Sequence, residues 1–494
     1  TLAMLCVLTF TAVTMGVRSF NAEQQAQQKR LAAENLLGFM VGEFADKLRS
    51  IGRMDLLDGI SNKALEYFTD YSTDDSSLSI AARLQHGQTL EAMGEVAYSR
   101  GKTDEAVAAL QAARVQLEAV LVEQPDNLEL LKTLGANAFW LGQIQYDIND
   151  WQGTQPEFER YYQYSERMYE LAPDNLDAIM ELSYATNSLG SLAMNQQQFD
   201  TARENFEESL RLRILVQDQQ PDNKKLLADI ANTRSWLASA ALAQGDITAA
   251  ISVHKDIQRA MLAAGNNAEL YLLEILVSSY HLSANLLGFI GQYSDALSNV
   301  NASIVIINKA LEQDPNSSRW RSSKYYAFYQ SLKFSPDNTV QHIKKSPAQL
   351  VELLEQDSAD LSAMPERQMV ARQWLTAAEL LRAKGEAQTS TSYAQHAIAL
   401  YEDLISQSSN NFRFRAARSS GYLLLAKALD KANSEDAQAL CQNVLNELSD
   451  IVEKNKEPEF TIPYIQALDC LGKRESQLEI VTMLQQQGVV NLKF

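Results

Sequence analysis

From Leu128 onward, apolar side chains fall at Leu131, Leu134, Ala138 and Leu141, the three-four-three spacing that keeps residues on one face of a helix. Shifted by 48 residues, the same pattern reads Ile179, Leu182, Thr186 and Leu189; shifted again, it reads Leu227, Ile230, Arg234 and Leu237. The first, second and fourth positions stay apolar while the third varies, which places the third at the edge of the buried stripe. A second helix repeats in step: Trp151, Phe199 and Ile247 align, as do Phe158, Phe206 and His254. His254 therefore occupies an aromatic core position and is expected to be structural. Short turns at Asn149-Asp150, Gln197-Gln198 and Gly245-Asp246 separate the two helices of each unit.

The units end on one tripeptide, Pro125-Asp126-Asn127, Pro173-Asp174-Asn175 and Pro221-Asp222-Asn223. Proline cannot continue a helix, and an Asx residue caps the next one. A fixed period in this range marks stacked helical units. Looser markers at Gly265, Pro315, Pro365, Asn410-Asn411 and Pro458 extend the series, and Met93-Gly94, Gly101 and Ala106 fit one earlier unit. The expectation is about eight helix pairs from Ser77, followed by a terminal piece whose Leu478, Ile480, Val481 and Leu484 cap the core.

Composition changes this picture little: Ala, Leu, Gln and Glu are abundant and Pro and Gly scarce, as in helical chains. The net charge of −19 disfavours a nucleic-acid partner, which needs a basic face to displace counterions. The five histidines are scattered without a metal-ligand spacing, and neither a phosphate-binding glycine loop, a nucleophile elbow nor a paired-cysteine knuckle is present. No cofactor, metal or catalytic residue is expected.

Thr1–Val17 carry no charge and read as a membrane helix, although a full span takes about 20 residues. The chain opens on Thr, so residues upstream are expected. A signal peptide would need a basic start and a small-residue cleavage site, which the run ending Gly16-Val17-Arg18-Ser19-Phe20 lacks. Cys441 and Cys470 lie about equally far from a turn near Asn455–Pro458, so an antiparallel hairpin would set them side by side. A disulfide there implies an oxidising compartment; two small buried core residues are the alternative.

At Leu189-Gly190, Phe199, Ala202, Phe206 and Leu210, with Pro221 beyond, the spacing resembles the tetratricopeptide repeat; Met93-Gly94, Gly101, Ala106, Leu110 and Ala113 repeat it. With the N-terminal transmembrane helix read from Thr1–Val17, the expected fold is all-α, and that resemblance implies that a right-handed α-solenoid of long tetratricopeptide-like pairs follows, each helix longer than the family's own. A second resemblance runs from Ala32-Ala33-Glu34-Asn35-Leu36-Leu37-Gly38 through Gly52-Arg53 to Asp55-Leu56-Leu57-Asp58. It is similar to the segment after the membrane helix in bacterial single-pass signalling proteins, and implies that the repeats are periplasmic. The expected organisation is a transmembrane helix over 1–20, a connecting hairpin and linker over 21–76, regular repeats over 77–316, divergent repeats over 317–458 and capping helices over 459–494.

Stacked helical units expose extended surfaces, so the expected function is a membrane-anchored periplasmic scaffold or sensor array that binds a protein partner. The alternative is an assembly subunit of a larger membrane complex without a signalling role. Two regions suggest where a partner docks. Between Arg319 and Lys345 six cations (Arg319, Arg321, Lys324, Lys333, Lys344 and Lys345) oppose one acid, Asp337, among aromatics including Trp320, Tyr329 and Phe334. The stretch reads either as a docking patch or as a degenerate repeat with core aromatics and solvated charges. Tyr162 and Tyr164 cannot both face the core at helical spacing, so one is expected to be exposed for binding.

Overall fold

The computed structural model describes residues 14–22, 24–25, 29, 32, 80–99, 101–265, 269–315, 317–335, 346–357, 364–409, 411–429, 434–473 and 478–490. Among these residues there are helices and connecting turns but no strands. The first four pairs are α1 (Ile80–Ser99) with α2 (Thr103–Glu123), α3 (Leu128–Asp147) with α4 (Trp151–Leu171), α5 (Leu176–Asn195) with α6 (Phe199–Gln219), and α7 (Lys224–Ala243) with α8 (Ile247–Ala263). Next come α9 (Leu270–Phe289) with α10 (Tyr293–Gln313), α11 (Ser318–Phe334) with the short α12 (Pro347–Asp357), and α13 (Met364–Ala383) with α14 (Ala387–Gln407). Finally α15 (Phe412–Ala428) pairs with α16 (Glu435–Lys454), followed by α17 (Pro458–Cys470) and α18 (Leu478–Gln486).

The repeated tripeptide acts where the pattern places it. The Asn127, Asn175 and Asn223 side chains accept backbone N–H bonds at 3.1–3.2 Å from Leu130, Ala178 and Leu226, in the first turn of α3, α5 and α7. Such caps contribute about 1 kcal/mol each. At the described turn inside six of the pairs one residue takes a left-handed conformation, a glycine at Gly101, Gly245, Gly291 and Gly385 but Asn149 and Gln197 in the second and third pairs.

Glycines in the first helices admit a bulky side chain from the second. A Cβ on Gly142 would stand 2.6 Å from the Phe158 ring, and one on Gly190 would stand 2.7 Å from Phe206. Phe158, Phe206 and His254 are all buried, as their alignment requires. The varying third position behaves otherwise than expected: Ala138 and Thr186 are fully buried, and only Arg234 sits at the edge. A first helix packs against neighbours on more than one side, so its buried face is wider than a single stripe.

The chain divides into two units, Thr1–Asp147 with Gln152–Ala185, and Ile148–Trp151 with Thr186–Phe494. The core of the first unit includes Leu90, Met93, Leu117, Val120, Leu130 and Leu134. There Arg114 makes a two-pronged ion pair with Glu157, at 2.9 and 2.5 Å, and donates from Nε to Asn137, whose amide donates to the Leu110 carbonyl. The second unit's largest core runs from Ala238 and Ile247 through Leu286, Val300 and Phe334 to Ile465, Leu484 and Val489. In this unit a disulfide joins Cys441 of α16 to Cys470 of α17, with S–S 2.09 Å and Cα–Cα 6.4 Å.

Among the described residues one helix, α9, is long and apolar enough to cross a membrane, and half of its apolar stretch is buried in the core of the second unit. Of the expected transmembrane helix only residues 14–20 are described; they are helical, with Met15, Val17 and Phe20 exposed. The rest of that helix and, apart from isolated helical positions, the connecting hairpin lie outside the described residues.

Candidate protein-binding groove

In the second unit the first helices of consecutive pairs turn one face to a common groove. In α7 this face carries Lys225, Asp229, Asn232 and Ser235; in α9 it carries Tyr271, Ile275, Ser278 and Leu282. Steps of three and four residues put each set on one side of its helix. With Arg319 of α11 they line a cleft of about 670 Å³ whose floor includes Ala228, Ala231 and Ile257. Lys225, Asn232 and Ser278 are exposed, while the neighbouring Leu226, Ile230, Leu276 and Val277 are buried. The α7 and α9 backbones are therefore fixed by packing on one side and offer side chains to solvent on the other.

The lining is mixed in charge. Arg319 pairs with Glu274 at 2.8 Å, and at the helix starts Lys224 stands 3.8 Å from Glu269. Pairs this exposed contribute little to stability, at most about 1 kcal/mol, so they are free to exchange for a partner's charges. The same register continues beyond the cleft at Tyr326 of α11 and Arg372 of α13, whose guanidinium lies 5.3 Å from the Tyr326 ring centroid. Below them His281 packs edge-on to Tyr326 and sits 3.0 Å from the Ser303 hydroxyl. Burial, with the Arg372 charge adding, pushes His281 down to about 4, and burial alone does the same to His254. Both imidazoles are neutral core groups at neutral pH. Among the described residues no group of three His, Cys, Asp or Glu side chains is placed to hold a metal ion.

No family model and no curated relative matches the chain. Solved structures with similar helical repeats include the apo form of RapI, at 13% identity and TM-score 0.44, covering 65% of this chain and 99% of that one. A Rap protein complexed with competence and sporulation factor is 8% identical with TM-score 0.41, covering 93% and 98%. A tetratricopeptide repeat protein from Parabacteroides merdae is 11% identical with TM-score 0.34, covering 66% and 98%. Likenesses at this level say nothing about function. The packing of its own glycines, aromatics and caps is that of a helical-repeat fold, as the resemblance to the tetratricopeptide repeat implied.

Of the described basic residues singled out by sequence, Arg319 alone lines the groove. Arg321 donates to the Pro315 carbonyl, Lys324 lies over the Phe328 ring at 5.9 Å, and Lys333 stands 3.8 Å from Glu379. Lys344 and Lys345 lie outside the described residues. Trp320, Tyr329 and Phe334 are buried, so these three aromatics are core, as the degenerate-repeat alternative expects of them. Tyr162 and Tyr164 lie on α4, a second helix in the first unit. Neither is fully exposed: the Tyr162 hydroxyl donates to Glu166 at 2.8 Å, and Tyr164 packs against the cluster of Leu131, Met168 and Ala178 with its phenol pushed up, mainly by burial. Their rings lie along the core's edge, which half-buries both.

Sequence reasoning missed Lys225, Asp229, Asn232, Tyr271 and Ser278. A partial signal was present: the second and sixth residues of the three first helices in 48-residue register are all polar, Glu129 and Thr133 in α3, Asp177 and Glu181 in α5, and Lys225 and Asp229 in α7.

Proposed function

We propose that this chain is a protein-interaction array that holds a segment of a partner protein in the groove formed by α7, α9 and Arg319. One observation carries the reading: a cleft of about 670 Å³ walled by exposed polar side chains on helices whose opposite faces are buried. A rigid backbone presenting interchangeable side chains suits recognition, and catalysis would need converging reactive groups, which this lining lacks. The partner's segment would exchange charges with Lys225, Asp229, Glu274 and Arg319 while its apolar side chains meet Tyr271, Ile275 and Leu282.

The array is tethered to a membrane by the apolar run of Thr1–Val17 and works in the periplasm, a placement supported by that run and by the Cys441–Cys470 bridge, which an oxidising compartment favours. Alkaline extraction of native membranes should leave the protein in the pellet; release into the supernatant would remove the tether from the proposal.

A photo-crosslinking side chain at Asn232 or Ser278 in the native cell should capture one common protein. The same group at Val305, exposed on α10 away from the groove lining, should capture none. Capture at Val305 with nothing at Asn232 and Ser278 would overturn the groove as the docking site.

A further inference from the structure

The C-terminal segment returns about 200 residues along the chain to occupy the ends of the helices that form the groove. The Lys456 amide donates to the carbonyl of Ala243, the last residue of α7, at 2.7 Å. The Val490 amide donates to that of Phe289, the last residue of α9, at 2.9 Å. Carbonyls in the last turn of a helix lack an intrahelical partner, so each is a ready acceptor for an incoming strand-like segment. The turns that follow keep the approach open. Gly245 and Gly291 are both left-handed, and a Cβ on Gly291 would stand 3.2 Å from the Val490 side chain.

Between the two backbone bonds, Leu484 and Val489 are buried in the same core as Ala238, Leu286 and Leu287, with Ile480, Val481 and Met483 half-buried beside them. The outer face of α18 is open: Glu479, Thr482 and Gln485 are exposed, and Leu478 is 74% exposed. The two helices of this segment are held unequally. Helix α17 buries Phe460, Ile465 and Leu468, and its last residue, Cys470, is joined covalently to α16. Helix α18 has nine residues and buries one of them. Gly472, left-handed and with nothing within 4 Å of a would-be Cβ, stands between the clamped part and the lightly held part.

We propose that the ends of α7 and α9 form a second interaction surface, an exchangeable seat with Lys456 as a fixed wall on the α7 carbonyl and filled in this structure by the chain's own Leu478–Val490. Its chemistry defines the partner that competes for it: a short amphipathic helix with apolar residues in the pattern of Ile480, Val481, Met483 and Leu484, followed by an extended apolar end that reaches the Phe289 carbonyl as Val490 does. The disulfide limits the exchange to the part of the chain beyond Cys470, so the seat empties while α17 stays in place. The seat lies at the C-terminal ends of helices whose earlier residues line the groove, and it stands whether or not the groove binds a partner.

Two measurements on the full chain test this. Hydrogen exchange in the unmodified protein should show the amides of α18 and Val490 exchanging at least a hundredfold faster than those of α17, by an opening that leaves the other helices protected. A fluorescent peptide of residues 478–490 should bind the Leu484→Asp, Val489→Asp double variant, whose seat is vacated, at least tenfold more tightly than it binds the unmodified protein. A peptide carrying the same two substitutions should bind neither. Equal exchange in α17 and α18 would overturn the proposal, whatever the variant does. So would equal binding of the peptide to both proteins, or a double variant that loses its cooperative unfolding transition, since the segment would then be a fixed structural cap.

Discussion

His254 stands where two sister repeats carry Phe158 and Phe206, and that substitution introduces a pH dependence. Its imidazole is held neutral by burial, with a folded value of about 4 against an ordinary 6.5. As the pH falls below 6.5 the unfolded chain takes up a proton that the folded chain refuses, so stability declines until the folded value is reached. At about 1.4 kcal/mol per unit, each of His254 and His281 removes on the order of 3 kcal/mol by pH 4. His254→Phe restores the sister residue, and Ser279 keeps its bond to the His254 backbone carbonyl. Thermal melts from pH 7 to 4 should show a flatter acid limb for this variant; an unchanged limb would remove His254 from the account. Gly190 makes the converse case, in which the smallest side chain is required. Alanine there meets the Phe206 ring at 2.7 Å, and an overpacked core costs roughly 1–3 kcal/mol. Denaturant unfolding should show Gly190→Ala destabilised by that amount.

At the scale of the helix pair, much was legible. The tripeptide caps, the turns at Asn149-Asp150, Gln197-Gln198 and Gly245-Asp246, and the aromatic alignment are local and periodic, and the helices begin and end accordingly. Asn223→Ala should cost about 1 kcal/mol by removing the bond to the Leu226 amide, and urea midpoints should shift to match. A shift near zero would mean that water caps α7 as well as the side chain does. The groove was harder to see. Which side of an amphipathic helix faces a partner depends on how the next pair stacks, and no single 48-residue window contains that information. The partners of the stretch from Arg319 were hidden for a related reason. Its charges look unbalanced in sequence, but Glu274 and Glu379, which meet Arg319 and Lys333, are distant in the chain.

Over the whole chain, the features that sequence could not supply are those that close large loops. The return of Val490 to Phe289 has no periodic signature, because the terminal helices do not follow the repeat pattern. The disulfide was accessible only because its two cysteines flank one turn. Its closed loop spans a separation of 29 residues, and tying such a loop in the unfolded chain contributes roughly 3–4 kcal/mol. Cys441→Ser with Cys470→Ser should lower stability by that order under oxidising conditions and match the wild type under reducing ones. Differential scanning calorimetry with and without reductant reads both. A variant equally destabilised in reductant would place the effect in packing of the sulfur atoms.

The bond from Val490 to Phe289 also has a consequence for how the protein is made. Chains emerge from the ribosome at about 5–20 residues per second, so α9 is complete for roughly 10–40 s before the segment that covers its end exists. For that interval Leu286, Leu287 and Ala238 lack their last neighbours, and the nascent chain presents an apolar ledge at the ends of α7 and α9. A protein stalled after the α17 codons would keep that ledge indefinitely, which makes Leu478–Val490 the difference between a covered core and a substrate for chaperones.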